Sequence, residues 1–95
     1  MLEKTLETKI TKKAKELGFL TYKFSSPSNR GVPDKIFITP NGEIFFIEFK
    51  STKGKLTELQ KHEINNLWNY QINTHVVRDI EDGLTILDYY SSVNV

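Results

Sequence analysis

The chain has 95 residues, which is enough for one domain and too few for two. Its apolar content of 38% and charged content of 26% are typical of a folded globular protein. The absence of cysteine excludes disulfides, thiolate zinc sites and a cysteine nucleophile, and favours a reducing compartment. The opening segment is too polar for a signal peptide and no long apolar run follows, so we expect a single cytoplasmic domain over residues 1–95 with no membrane contact.

The net charge of +1 hides an uneven distribution along the chain. Residues 1–55 carry 11 Lys or Arg against 6 Asp or Glu, a net charge of +5, and residues 56–95 carry 2 against 6, a net charge of −4. A basic half favours contact with phosphates, because Lys and Arg displace counterions there. A solvated helix face explains the same charges equally well.

Apolar periodicity predicts three helices and four strands in the order α-β-β-β-α-β-α. The first helix is predicted over residues 2–17, with Gly18 as its left-handed stop. Alternation over residues 20–24 predicts a half-buried strand with Tyr22 and Phe24 in the core. Residues 35–39 and 44–50, joined by the turn at 40–43, are predicted to form a β-hairpin at the centre of the sheet.

The second half is predicted to supply the other helices. Thr57 and Gln60 have the spacing of a capping box, and the helix that they begin runs to about Tyr70 with Gln60 on its sheet-facing side. A strand follows at 74–77, then a short helix capped by Asp79 and a frayed tail over 91–95. The sum is a mixed sheet flanked by helices.

A candidate metal site lies where Asp34 enters the predicted hairpin and Glu48 and Lys50 leave it. Glu48 and Lys50 are two positions apart, so in a strand their side chains share one face. Asp34 can approach Glu48 from the partner strand, and two adjacent carboxylates repel unless a cation lies between them. Carboxylate oxygens suit Mg²⁺ or Mn²⁺, and such an ion beside a lysine fits phosphodiester hydrolysis.

The spacing of these three residues is weak evidence when taken alone. An Asp followed by Glu-x-Lys is expected by chance in roughly one in five to one in ten chains of this size, and a simple ion pair between Glu48 and Lys50 is the plain alternative. Two features favour a site: Pro33 directly before the acid, after an Arg-Gly loop, and Gln60 on the inward face of the next helix.

Seven segments together form a far more specific pattern over about residues 3–80. They are Leu6-Glu7, Leu17-Gly18, Tyr22-Lys23-Phe24, Ser26-Pro27, Arg30-Gly31-Val32-Pro33-Asp34, Phe46-Ile47-Glu48-Phe49-Lys50 and Leu56-Thr57-Glu58-Leu59-Gln60. This set resembles the VRR-NUC (virus-type replication-repair nuclease) family of the PD-(D/E)XK nuclease superfamily. The resemblance implies an α/β fold with a restriction-endonuclease-like core. The chain departs from the family at Tyr70-Gln71-Ile72, where a glycine often follows the second helix.

The resemblance also implies roles for individual residues. Asp34 and Glu48 are implied to be catalytic metal ligands, with the backbone carbonyl of Phe49 assisting. Lys50 is implied to be the catalytic lysine and Gln60 to support the site, with helix capping as the alternative for Gln60.

An acidic residue of the first helix is implied as a further catalytic and metal-binding group. Glu7 is our choice, and Glu3, one turn earlier on the same face, is the alternative. An ion pair with a helix lysine is the structural explanation for Glu7.

The leading hypothesis is a Mg²⁺- or Mn²⁺-dependent DNA endonuclease, without an organic cofactor, that is selective for branched or Holliday-junction-like DNA. A homodimer is expected, because a domain this small has little surface to hold a duplex and a symmetric pair presents two sites to two strands. A phage or prophage protein inside the host cell is implied by the resemblance only. Candidate DNA contacts are Lys23, Arg30, Lys35 and Lys53.

Two hypotheses from other classes stay open. A non-catalytic nucleic-acid-binding module with a nuclease-like fold is the main alternative, although a binder would not require the acids and the lysine. A small interaction protein whose oppositely charged halves associate head to tail is the other. Zinc is not expected, because His62 and His75 lack a ligand spacing.

Overall fold

The computed structural model describes residues 1–92 and confirms the predicted order of elements. The helices are α1 (Glu3–Glu16), α2 (Glu58–Asn69) and α3 (Ile80–Ser92). The strands are β1 (Leu20–Lys23), β2 (Lys35–Ile38), β3 (Ile44–Phe49) and β4 (Asn73–Val77). They form one mixed sheet in the order β1-β2-β3-β4, in which β1, β2 and β3 are antiparallel and β4 is parallel to β3.

The main core lies on the side of the sheet that α1 and α3 cover. Phe45 of the central strand β3 stacks on Phe37 and on Tyr90, with ring centroids 5.1 and 3.8 Å apart. From α1, Leu6 and Ile10 are fully buried against this cluster. Burial of large apolar side chains stabilises each element by roughly 1.5–3 kcal/mol per side chain, so β3 is held firmly from this side.

The opposite side of the sheet is covered only in part. α2 lies on this side and packs on β4, where the indole Nε1 of Trp68 donates a 2.9 Å hydrogen bond to the Thr74 carbonyl. Tyr22 on the edge strand β1 is exposed, so its prediction as a core residue is wrong. Phe24 is half-buried and packs edge-on against Phe46, with ring centroids 5.1 Å apart.

The C-terminal helix is longer than the sequence predicts. Asp79 caps it as expected, since its Oδ1 accepts a 2.7 Å hydrogen bond from the Asp82 N–H. The helix continues to Ser92, so the prediction of a short helix with a frayed tail from Ser91 is wrong for Ser91 and Ser92, while residues 93–95 lie outside the described part. Apolar positions on the sheet-facing side carry the helix through, with Leu87 and Tyr90 buried. Within residues 1–92, no helix has both the length and the apolar character needed to cross a bilayer.

The end of α2 shows how the chain replaces a glycine. Gln71 has φ 63°, in the left-handed region that non-glycine residues rarely adopt. Its N–H donates to the Trp68 carbonyl and the Ile72 N–H to the Leu67 carbonyl, at 2.9 and 2.8 Å, which is the Schellman pattern of a helix end. The helix therefore stops where a glycine would stop it, at the cost of a strained backbone conformation at Gln71.

We predict that Gln71→Gly raises the free energy of unfolding by ~0.5–1 kcal/mol, because glycine adopts the left-handed conformation without a Cβ penalty. Urea denaturation measures the change. Gln71→Ala keeps the Cβ and serves as the matched control, so an equal gain in both variants would contradict the argument.

Candidate active site

The candidate site lies at one end of the sheet, where the segment before β2, the end of β3 and the start of α2 meet. Asp34 is tied to both neighbouring strands: its carbonyl accepts a 2.9 Å hydrogen bond from the Phe24 N–H, and its Oδ2 accepts one of 2.9 Å from the Phe49 N–H. Pro33 before it is fully buried. The Asp34 carboxylate is therefore fixed beside the backbone that carries Glu48.

Glu48 is the most buried acidic side chain among residues 1–92, with 2% of its surface exposed. Its Oε2 accepts a 3.1 Å hydrogen bond from Nε2 of Gln60 and lies 3.9 Å from Nζ of Lys50. Its Oε1 is buried without a hydrogen-bond partner. One half of the carboxylate is thus satisfied by the protein and the other half has an unused acceptor.

The two carboxylates of the site are electrostatically unfavourable for one another. Burial, followed by the negative charge of Asp34, raises the pKa of Glu48 to about 8, although Lys50 and a hydrogen bond from the Asp34 backbone oppose the change. Burial also raises the pKa of Asp34, against the hydrogen bond from the Phe49 backbone. Such a pair is relieved by a cation between the two oxygens.

Gln60 performs two tasks with one side chain. Its Oε1 accepts from the Thr57 N–H at 2.9 Å while its backbone N–H donates to Oγ1 of Thr57 at 3.1 Å, which confirms the predicted capping box. The amide has donors as well as an acceptor, so the Nε2 group remains to bind Glu48. Capping and support of the site are therefore compatible.

Gly31 joins the loop before Asp34 to the start of α2. Its φ is +90°, and a Cβ at this position would lie 2.6 Å from the Leu59 carbonyl and 2.8 Å from the Gln60 nitrogen. The structure thus brings the backbone at Gly31 against the backbone at the start of α2. Only glycine lets these backbones touch, and the contact sets the position of Asp34 relative to Gln60.

Of the acids of α1, Glu7 is paired with a lysine. Glu7 forms a 3.2 Å ion pair with Lys35, and both side chains are largely buried. Negative charge on Glu7 and on Glu3 raises the pKa of Asp34, after the larger effect of burial, so both acids face the site electrostatically. Within residues 1–92, however, no three His, Cys, Asp or Glu side chains come together as a ready metal-ligand group.

The candidate DNA contacts differ in their surroundings. Lys23, Arg30 and Lys53 are exposed, on β1, on the loop before Asp34 and on the loop after Lys50. Lys35 is half-buried and engaged with Glu7. The first three therefore have side chains free to reach a phosphate, and Lys35 instead neutralises a carboxylate.

Arg78 is a residue that sequence reasoning missed. Its Nη1 donates to the carbonyl oxygens of Ser51 (3.1 Å) and Gly54 and so anchors the loop that follows Lys50. Nearby, the Lys50 N–H donates to the Val77 carbonyl at 3.0 Å. The only signal in the sequence was an arginine within an acidic half of the chain.

The donor set fits a hard divalent ion such as Mg²⁺ or Mn²⁺. The unpartnered, buried Oε1 of Glu48 and the adjacent Asp34 carboxylate are oxygen ligands whose mutual repulsion a cation would remove. Mg²⁺ commonly takes one or two protein carboxylates and completes its shell with water and substrate phosphate. Two carboxylates are therefore sufficient for such a site.

The chain is similar to known nucleases over most of its length. It is 36% identical over 87 residues to "Putative nuclease p44" of Acyrthosiphon pisum secondary endosymbiont phage 1, and this alignment covers 90% of each chain. It is similar to a solved structure described as "VRR_NUC domain", with a TM-score of 0.86 and 26% identity over 93% of this chain and 96% of the other. No family model matches the chain.

We predict that Glu48→Gln stabilises the protein when divalent ions are absent. The amide keeps the shape of the side chain and removes a group that, with its pKa raised to about 8, must either take up a proton on folding or carry a buried charge, so the free energy of unfolding should rise by about 1 kcal/mol. For a domain of this size that is a Tm increase of roughly 4–8 °C, measured by thermal denaturation in EDTA. Glu16→Gln, an exposed site on α1, is the control, and a lower Tm for Glu48→Gln would show that the carboxylate is net stabilising.

Proposed function

Since the chain belongs to the VRR-NUC family of nucleases, we propose that it is a divalent-metal-dependent DNA endonuclease that hydrolyses phosphodiester bonds. The buried Oε1 of Glu48, without a partner beside a second carboxylate, is the observation that carries this proposal. A protein that only bound nucleic acid would gain nothing from keeping such a pair under repulsion.

Asp34 and Glu48 are the proposed ligands of Mg²⁺ or Mn²⁺, together with the backbone carbonyl of Phe49. A bound ion of this kind polarises a phosphoryl oxygen and lowers the pKa of a water molecule. The Asp34 Oδ2 is oriented by the Phe49 N–H, which fixes one of the two proposed ligands.

Lys50 is the proposed catalytic lysine. Its Nζ lies 3.9 Å from Oε2 of Glu48, and 13% of the side chain is exposed, so the ammonium group is held at the rim of the site. From there it can hold a water molecule in place and offset the negative charge that develops on a phosphate during hydrolysis. In a partly desolvated site that interaction is stronger than in water.

Gln60 is proposed to support catalysis by orienting Glu48. Its Nε2 donates to Oε2, so that Oε1 stays available as a ligand for the proposed cation. Because the same amide caps α2, the helix start and the carboxylate are positioned together.

The substrate is proposed to be branched or Holliday-junction-like DNA, cut by a homodimer of a single domain spanning residues 1–95. Lys23, Arg30 and Lys53 are exposed and are the proposed phosphate contacts. A pair of sites related by a twofold axis suits two strands at a junction. Action inside a host cell on phage or prophage DNA is part of the same proposal.

We predict that Lys50→Ala and Asp34→Asn each lower the cleavage rate by at least about 100-fold, because Lys50 would offset negative charge on the reacting phosphate and Asp34 would hold the metal ion. The assay uses labelled four-way junction, splayed-arm, nicked and plain duplex DNA with Mg²⁺, with Mn²⁺ and with EDTA. Lys61→Ala removes an exposed lysine of α2 and is the matched control.

Binding to the same DNA is measured by gel shift and should survive in both variants. Cleavage that persists without metal or in both variants refutes the mechanism. Binding without cleavage by the wild-type protein would support the non-catalytic binding module instead.

The acid of α1 is tested separately, with Glu7 as the proposed residue. We predict that Glu7→Gln lowers the cleavage rate by about 10-fold or more, while Glu3→Gln and Lys35→Gln retain most activity. Lys35→Gln removes the same ion pair as Glu7→Gln but leaves the carboxylate, so it separates loss of the acid from loss of packing. Loss of activity in Glu3→Gln alone would assign the role to Glu3.

A further inference from the structure

A basic cleft lies between α1 and β2. Its volume is about 340 Å³, and all but one of its lining residues belong to α1. The helical residues from 8 to 15 are spaced i, i+3, i+4 and i+7, so they form one stripe along a single flank of α1. We call the six lining residues the α1 cleft: Glu7, Thr8, Thr11, Lys12, Lys15 and Lys35.

The α1 cleft carries a net positive charge. Lys35 is engaged by Glu7 at 3.2 Å, so Lys12 and Lys15 supply the charge that is not neutralised within the lining. Both are exposed, and neither forms an ion pair with an acid in the described range 1–92. Two unpaired lysines on one concave surface create a positive potential, which favours an anion there.

Lys23 on the edge strand β1 extends this positive surface. Lys23 is opposite Lys35 in the register of β1 and β2, so both side chains point to the same side of the sheet. Lys35 lies two positions before the buried Phe37, which belongs to the core under α1. The exposed Lys23 is therefore on the side of the sheet that α1 covers, as the cleft is.

Thr11 adds an unsatisfied polar atom to the lining of the cleft. Its Oγ1 is buried and has no hydrogen-bond partner within residues 1–92. Buried side-chain hydroxyls are paired in the large majority of cases. A threonine hydroxyl can donate one hydrogen bond, so rotation about a single side-chain bond would let it bind an anionic oxygen in the cleft.

We propose that the α1 cleft binds consecutive phosphates of one DNA strand, as a contact surface for the substrate outside the catalytic site. Lysine side chains supply sequence-independent affinity for phosphate, and threonine hydroxyls are common phosphate donors. From Glu7 to Lys15 the cleft extends about 12 Å along α1, at about 1.5 Å per residue. That length is the axial rise of about three to four base pairs of duplex DNA.

The position of the α1 cleft connects it to the proposed function, on which this inference rests. Lys35 directly follows Asp34 in the chain, and its ion-pair partner Glu7 acts electrostatically on Asp34, so the cleft begins beside the carboxylates. A strand with one phosphate at the carboxylates would cross this end of the sheet and continue along α1. One arm of a branched substrate would thus be held apart from the position of the cut.

The test measures binding of a labelled four-way junction in EDTA by fluorescence anisotropy over a range of salt concentrations. The cleft variant Lys12→Gln/Lys15→Gln should weaken binding by about 10-fold or more at ~0.1 M salt, and should lower the slope of log K against log salt by about 2, because two phosphate contacts are lost. Lys9→Gln/Lys13→Gln is the matched control, since it removes the same charge from α1 at positions outside the cleft. Each pair includes one lysine of the last helical turn, so the effects on helix stability are similar.

Thr11→Val probes the unsatisfied hydroxyl. Valine keeps the shape of the side chain, so this variant should weaken binding by about 3-fold or more without lowering the Tm, because the hydroxyl has no partner within residues 1–92 to lose. Circular dichroism melting gives the Tm and shows that each variant folds.

Weaker binding and a smaller salt slope in the cleft variant, with both retained in Lys9→Gln/Lys13→Gln, support the inference. Equal losses in the two double variants would reflect net charge alone and overturn it. Unchanged binding by the cleft variant, or a wild-type protein that does not bind DNA, overturns it as well.

Cleavage with Mg²⁺ is measured on the same proteins, so that the two proposals can fail separately. Metal-dependent cleavage by the wild type, with unchanged binding by the cleft variant, refutes the cleft and leaves the nuclease function standing. Binding through the cleft without any cleavage by the wild type does the reverse. A higher KM with an unchanged kcat in the cleft variant supports both.

Discussion

The buried carboxylate of Glu48 is the constraint on which the rest of the site depends. A buried charged group at the end of a strand of Ile and Phe destabilises the fold unless it is paired with an opposite charge or hydrogen-bonded. Gln60 donates a hydrogen bond to Oε2 of Glu48, and the ammonium group of Lys50 lies near the same oxygen. The charge of Asp34 raises the pKa of Glu48, and Oε1 has no hydrogen-bond partner. The protein therefore tolerates a buried oxygen without a partner, and the proposed metal ion would supply that partner.

The fold tolerates this site because stability comes from the other side of the sheet. The stacked rings of Phe37, Phe45 and Tyr90 hold β3 against α1 and α3. On the side of the site, α2 packs mainly on β4 and leaves β1 and β2 uncovered. The sheet thus has one side for the core and one side on which the two carboxylates lie.

Much of the fold and the centre of the site were predictable from local patterns. The hairpin follows from two apolar runs around Pro40-Asn41-Gly42-Glu43, and the capping box from Thr57 and Gln60, because both depend on residues close in sequence. The assignment of Tyr22 to the core was wrong, since alternation shows which residues share a side of a strand and not whether a helix covers that side. The role of Arg78 was invisible, because its partners lie 24 and 27 positions away.

The sequence by itself determined the order of elements, the pairing of the hairpin and the shared side of Glu48 and Lys50, because helical and strand periodicities are local properties of the chain. Only the tertiary structure decided which atoms meet. It brought Nε2 of Gln60 to Oε2 of Glu48, Gly31 to the backbone of α2 and Glu7 to Lys35, and it left Oε1 of Glu48 without a partner. These contacts join elements distant in sequence, and packing of the whole chain sets their distances.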